Sequence, residues 1–251
     1  MCIRDSDGTV TQIDPATREV VKTIGIGAPV VDLAAGVGGI WAATGSFGEV
    51  VQIDPADGAV ALRASLGASD DPIVPQATSI GVGDGRVWVG AFKGLARIDP
   101  TSGDVIETVD LGGASASQVA VGGGAVWTTT LDNRAKRVEA STGRPTAEYH
   151  AGGWLDPVVL GGDAVWVGGL NGVSKVDPLT GVELASARPF GEILGIAYGD
   201  GSVWVASNAA SKVVRLHPTS LAVEARIATG GAGLEAVFHD GLLWVVVAKP
   251  E

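Results

Sequence analysis

Six pairs of an aliphatic residue followed by Trp recur along the chain: Ile40-Trp41, Val87-Trp88, Val126-Trp127, Val165-Trp166, Val203-Trp204 and Leu243-Trp244. The steps between the Trp residues are 47, 39, 39, 38 and 40. A second register keeps pace with the first: Ile13-Asp14-Pro15, Ile53-Asp54-Pro55, Ile98-Asp99-Pro100, Val138-Glu139-Ala140, Val176-Asp177-Pro178 and Leu216-His217-Pro218. Two motifs locked together at a period of about forty residues define a repeat architecture. With strand-type residues in each unit, that period points to propeller blades.

One unit, from Ala116 to His150, shows how a blade is built. Gln118 to Val121 is a short apolar strand broken by Gly122-Gly123-Gly124. Ala125 to Thr130 is rich in the β-branched and aromatic residues that strands favour. Leu131-Asp132-Asn133 turns the chain into a third strand, Arg134 to Val138, and Ser141 to Arg144 turns it into a fourth, Thr146 to His150. Between first and second strands the turns are of the Asp-Gly and Gly-Gly kind, which supply the positive φ angles of tight hairpins. Between third and fourth they run Asp99-Pro100-Thr101-Ser102-Gly103 or Asp177-Pro178-Leu179-Thr180-Gly181. There Pro presets φ, Asp bonds the following backbone, and Gly takes the left-handed site. Each unit therefore reads as a four-stranded antiparallel meander.

The fold class is all-β, a β-propeller of five complete four-stranded blades plus one split blade. Thr9–Ile13 and Glu19–Ile24 would supply its third and fourth strands, and Leu234–Phe238 and Leu242–Val247 its first and second. Pairing of Thr9–Ile13 with Leu242–Val247 would close a ring of six and remove two open edges. A seven-bladed parent that is incomplete here fits the sequence equally. Met1-Cys2-Ile3-Arg4-Asp5-Ser6 fits no repeat position and has the look of a translated sequencing-adapter scar. Residues 1–6 are accordingly expected to be a non-native end, and 7–251 a single propeller domain from a longer chain.

The repeat accounts for the composition. The 38 glycines fall at turn positions, and no apolar run approaches the ~20 residues needed to span a bilayer. A net charge of −11 argues against nucleic acid as a partner, because phosphates need a basic surface. A single Cys2 excludes a disulfide framework. Six of the seven Trp residues occupy one repeat position, where packing between neighbouring blades explains them. The basic residues Arg97, Arg137, Lys175 and Arg215 also recur on the third strands, and are expected to form a solvated face with local ion pairs.

The unit Gly-x-Val-Trp-Val followed by Arg-Ile-Asp-Pro-x-x-Gly, carried most clearly by Gly201–Asn208 and Arg97–Gly103, resembles the YVTN-type bacterial propeller repeats. It is also similar to the virginiamycin B lyase-like propeller superfamily. The resemblance covers essentially all of residues 7–251. It implies a propeller and, for the lyase branch, elimination across an ester of a cyclic depsipeptide by His and Glu side chains with Mg²⁺. Of the three His, His217 and His239 lie in turns at the end opposite the ligand face, and His150 ends a fourth strand. None stands beside a carboxylate on an inner strand, so no catalytic residue is assigned.

Ligand contacts are expected where the loops entering each first strand meet the loops leaving each second strand. Nine residues before each repeated Trp lie Asp32, Ser79, Gln118, Pro157, Gly195 and Glu235. Asp156 and Glu192 are close by, and Trp154 sits outside the Trp repeat in an entering loop. The candidate ligand-binding set is therefore Asp32, Gln118, Trp154, Asp156, Glu192 and Glu235, with no metal site assigned. Such a mouth suits an amine, a polyol or a divalent cation held by oxygens, and no other cofactor is implied. The segment Gly67 to Pro75 lengthens one unit at the same end, as a recognition loop or as tolerated extra length.

The expected function is a non-catalytic binding or sensor module, extracytoplasmic and monomeric, for a small molecule or a protein. The alternative is a virginiamycin B lyase-like enzyme that cleaves an ester or lactone at the mouth.

Overall fold

A computed structural model of the chain describes residues 2–4, 8–14, 17, 19–45, 47–67, 76–188, 191–207, 211–229, 231, 233–239 and 241–247. The described residues contain strands and turns, and no helix long and apolar enough to cross a membrane.

Five sheets have four antiparallel strands each, connected in sequence order. The first contains β4 (Asp32–Gly36), β5 (Gly39–Ala43), β6 (Glu49–Ile53) and β7 (Val60–Ser65). The second contains β8 (Ala77–Gly83), β9 (Arg86–Ala91), β10 (Gly94–Ile98) and β11 (Val105–Asp110). The third contains β12 (Ala116–Gly122), β13 (Ala125–Thr130), β14 (Arg134–Glu139) and β15 (Pro145–His150). The fourth contains β16 (Leu155–Gly161), β17 (Ala164–Gly169), β18 (Gly172–Val176) and β19 (Glu183–Ala187). The fifth contains β20 (Gly195–Gly199), β21 (Ser202–Ser207), β22 (Lys212–Leu216) and β23 (Val223–Ala228).

At the two ends of the chain, β1 (Cys2–Arg4), β2 (Thr9–Ile13) and β3 (Val20–Gly25) form a three-stranded sheet, and β24 (Gly233–His239) pairs with β25 (Leu242–Val247). The expected pairing of Thr9–Ile13 with Leu242–Val247 is replaced. Cys2, Ile3 and Arg4 take the edge of β2 that β3 leaves open, opposite Gln12, Thr11 and Val10. A strand a few residues away in sequence closes a much shorter loop than one at the far terminus, and it covers the edge as well.

The chain divides into two compact units, 1–126 with 140–144, and 127–139 with 145–251. In the first unit, Trp41, Val50, Ala64, Ile80, Val87, Val89 and Ile98 form one apolar cluster, and Val10, Ile24, Ile26, Val51 and Ile53 another. In the second, Trp166, Val173, Ile193, Val203, Val205, Val214, Leu216 and Leu221 pack together. Trp41, Trp88, Trp127 and Trp166 are all 0% exposed, as the packing argument requires. Trp204 is only half-buried; its ring stacks on Phe238 at 6.3 Å, as Trp166 stacks on Tyr198 at 6.5 Å.

Glycine sets how closely successive first strands approach. A Cβ on Gly195 would lie 2.8 Å from Glu235 Cα and 2.7 Å from Ala236 N, so β20 and β24 meet backbone to backbone. A register shift near the third-to-fourth-strand turn recurs in the five complete sheets with described pairings and in β2–β3. Such bulges twist an outer edge away from further pairing.

The recurring cations differ from expectation. Arg137 is 6% exposed and Lys175 8%, rather than solvated. Arg97, Lys175 and Arg215 each lie opposite the Trp of their own sheet and stand 5.7, 5.6 and 5.3 Å from its ring centre. Indole faces attract cations, and a guanidinium keeps hydrogen-bonding capacity while its flat face is covered. Arg97 donates to Ala140 O (3.3 Å), and Arg137 Nε donates to Pro178 O (2.9 Å), a carbonyl that Trp127 Nε1 also reaches at 3.3 Å. These residues tie one sheet to the turn of the next.

Candidate functional site

The first strands begin at the end of each sheet where the sequence places the site, and there the repeat stops repeating its chemistry. In the first unit, Asp32 opens β4 half-buried. Its Oδ1 accepts from Leu33 N (2.8 Å) and its Oδ2 from Ile80 N on β8 (2.9 Å). Part of its role is thus to satisfy a backbone amide of the neighbouring sheet. Gln118 lies half-buried on β12, a strand partly exposed from Ser117 to Gly122. Ser79, at the same repeat position, is fully buried and its hydroxyl has no hydrogen-bond partner among the described residues, while Thr78 Oγ1 donates to Ala116 O (2.8 Å).

In the second unit, Trp154 is half-buried, and its carbonyl accepts from Leu170 N at 3.0 Å. Asp156 falls in a bulge: Leu155 pairs with Gly169 and Val158 with Val167, so Asp156 and Pro157 share the space opposite Gly168. A bulge re-aims a side chain relative to the pleat, and its unpaired position tolerates Pro. Thr129 Oγ1 holds the Asp156 carbonyl at 2.6 Å. Glu192 and Glu235 are each half-buried, the first just before β20 and the second on β24. Asp32, Gln118, Asp156, Glu192 and Glu235 all take part in further polar interactions of the protein, so any ligand would join an existing network.

Two features of this end escaped the sequence reading. Leu131 is 65% exposed and Leu170 57%, each four residues after its Trp in the turn that leaves the second strand. Their signal was the spacing itself, since Phe92 holds the same position. The turn at Leu131 is also charged. Asp132 accepts from Thr130 Oγ1 and pairs with Arg134 and Lys136, both at 3.5 Å. Burial pushes the Asp132 carboxyl up, but the Thr130 bond and the two cations outweigh it and hold the group below its usual range. In the lengthened segment, residues 68–75 lie outside the described residues.

At the opposite end one kind of cap recurs. Asp99 Oδ1 accepts from Thr101 N (2.8 Å) and Ser102 N (3.2 Å), and Asp177 Oδ1 accepts from Thr180 N (2.8 Å) and Leu179 N (3.0 Å). These backbone bonds, from Thr101 and Thr180 foremost, lower both carboxyls. His217 stands in the equivalent place and accepts from Thr219 and Ser220 through Nδ1, so its lone pair is committed to a turn. His150 is exposed at the end of β15, and of His239 only the backbone is described.

A third cluster crosses between outer strands of the second unit. Tyr149 of β15 donates to the Glu183 carboxylate of β19 and lies 2.8 Å from Ser174 Oγ. Ser174 and Ser186 also donate to Glu183, at 3.1 and 2.9 Å. Burial, reinforced by the neighbouring carboxylate, pushes the Tyr149 hydroxyl up to about 12, and the Tyr149 bond holds Glu183 below its usual range. Every polar group in the cluster is satisfied, which marks it as a structural network. Among the described residues, no group of three or more His, Cys, Asp and Glu stands where it could hold a metal ion.

Neither protein-family models nor curated protein sequences match the chain. Structural likeness is extensive. The computationally designed protein Ika8 superposes with a TM-score of 0.79 at 15% identity, over 98% of this chain and 77% of the designed one. BamB from Moraxella catarrhalis superposes with a TM-score of 0.69 at 16% identity, over 97% of this chain and 77% of its own. These likenesses establish an all-β, multi-bladed propeller. Shared among 1417 matching chains, that fold leaves function to the side chains it carries.

Proposed function

We propose that this propeller is a non-catalytic binding module that receives ligand where its first strands begin, through Asp32 and Gln118 in the first unit and through Trp154, Asp156, Glu192 and Glu235 in the second. The observation that carries this reading is the contrast at a single repeat position. The repeat fixes this position nine residues before each Trp, while the side chains it carries are Asp32, Ser79, Gln118, Pro157, Gly195 and Glu235. Residues that only hold strands together recur in this chain, whereas these do not. The half-exposed carboxylates of the set favour a cationic or multi-hydroxyl ligand over an anion, and half-buried Trp154 offers a ring face for stacking.

The resemblance to YVTN-type and virginiamycin B lyase-like propellers supports an extracytoplasmic bacterial setting for such a module. One propeller domain spanning residues 7–251 belongs to the same proposal. Calorimetric titration with amines, sugars, Ca²⁺ and Mg²⁺ tests it, followed by the same titrations on Glu192→Gln and Glu235→Gln. Severalfold weaker binding in both variants is expected. Binding that neither change touches would place the ligand elsewhere. Cleavage of an ester or lactone by the unmodified chain would overturn the non-catalytic reading in favour of the lyase.

A further inference from the structure

One turn departs from its counterparts at both of its defining positions. Asp54, Asp99 and Asp177 open the turns between third and fourth strands, and Gly58, Gly103 and Gly181 close them with φ of 73°, 79° and 74°. In the fifth sheet, His217 replaces the aspartate and Leu221 replaces the glycine. Leu221 keeps the left-handed backbone, with φ 55°, which a branched side chain disfavours. Its side chain is buried in the apolar cluster of the second unit, so packing holds the strained backbone in place.

His217 also keeps the aspartate's bonding role. Its Nδ1 accepts from Thr219 N at 3.2 Å and from Ser220 N at 3.3 Å, matching the pairs of amides that cap on Asp99 and Asp177. A carboxylate and an imidazole are equivalent here only while Nδ1 is bare. A proton on Nδ1 turns the acceptor into a donor that faces two other donors. Imidazole ordinarily changes charge between about pH 5 and pH 8, whereas the carboxyls of Asp99 and Asp177 are held below their usual range and remain acceptors throughout.

Charged groups on the surrounding elements are already engaged in several cases. On the same sheet, Arg215 pairs with Glu224 (3.1 Å) and lies 4.0 Å from Asp200, and Lys212 and Arg226 are further cations of the hairpin. On the adjoining sheet, Lys175 pairs with Asp163 (2.9 Å) and Glu183 is held by Tyr149, Ser174 and Ser186.

We propose that the His217–Leu221 turn is a proton-sensitive latch: protonation of His217 at Nδ1 releases the Thr219 and Ser220 amides and lets the strained Leu221 backbone open the turn between β22 and β23. The equivalent aspartate turns stay closed over the same range, so the response is confined to one sheet.

Amide hydrogen exchange on the intact chain tests this, read residue by residue as protection factors so that the intrinsic pH dependence is removed. Between about pH 7.5 and about pH 5, protection at Thr219 and Ser220 should fall about five- to tenfold, the scale of a lost hydrogen bond. Thr101, Ser102, Leu179 and Thr180 should hold steady. His217→Asp should abolish the fall. Unchanged protection in the unmodified chain would overturn the latch. So would the same fall in His217→Asp, or a matching fall at the aspartate turns.

Discussion

The two ends of each sheet obey different rules. At the end carrying the turns between third and fourth strands, chemistry recurs with the fold: Asp99, Asp177 and His217 each cap two amides, Arg97, Lys175 and Arg215 stand over Trp rings, and Arg97 and Arg137 reach the next sheet's turn. At the other end the pairing is regular at Asp32 and Gly195 but bulged at Asp156 and Pro157, and the side chains at a single position run from Asp32 to Gly195 to Glu235. Repetition marks what every sheet needs, and variation marks where each sheet is free to differ. His217 and Leu221 are instructive because they vary at the end that otherwise repeats.

The comparison breaks first if the repeated end proves dispensable. Trp127→Ala or Trp166→Ala should cost about 3–5 kcal/mol, read by denaturant unfolding, because each removes a fully buried ring. Trp204→Ala should cost less, since that ring is half-buried. Equal losses at all three would mean that burial does not set the scale.

Next comes the cation. Arg137→Ala deletes charged hydrogen bonds to Pro178 O, Thr146 and Glu139 in a buried setting, and should cost about 1.5–3 kcal/mol. A loss no larger than that of an exposed ion pair would restore the solvated reading of these residues.

Tyr149→Phe should cost about 1 kcal/mol and also change the pH dependence. The folded-state value of Tyr149 is raised to about 12 from the ordinary 10.0, so its contribution is whole below pH 10 and is lost as pH rises through about 12. Glu183 is shifted the other way, so its contribution is present above the ordinary 4.5 and is lost as pH falls through its lowered value. Unfolding curves of Tyr149→Phe should lose the alkaline decline. An unaltered decline would assign it to other groups.

The smallest effect on stability belongs to the variable end. Glu192→Gln and Glu235→Gln should change unfolding free energy by no more than about 0.5 kcal/mol while weakening ligand binding. Large losses of stability there would make these carboxylates part of the scaffold.

Much of the fold was legible because strand and turn signals are local. The Trp pairs, the Asp-Pro turns and the Gly-rich hairpins located five four-stranded sheets with boundaries close to those observed, since alternation and turn chemistry act within a few residues. The candidate site was legible only as a set of positions. That Asp156 would sit in a bulge, or that Asp32 would cap Ile80 across sheets, depends on pairings between residues far apart in sequence.

By itself, the amino-acid sequence determined the period, the strand order within each sheet and the place of the Trp residues, because hydrophobic periodicity and turn geometry are written at short range. Tertiary structure alone decided that Arg97, Lys175 and Arg215 stand over indole rings, that Cys2–Arg4 covers the edge of β2, that Tyr149 and Glu183 share one network, and that Leu221 is held in a left-handed backbone. Each of these is settled by which distant side chain or strand arrives beside it, and burial, charge pairing and edge protection take their values only from that neighbour.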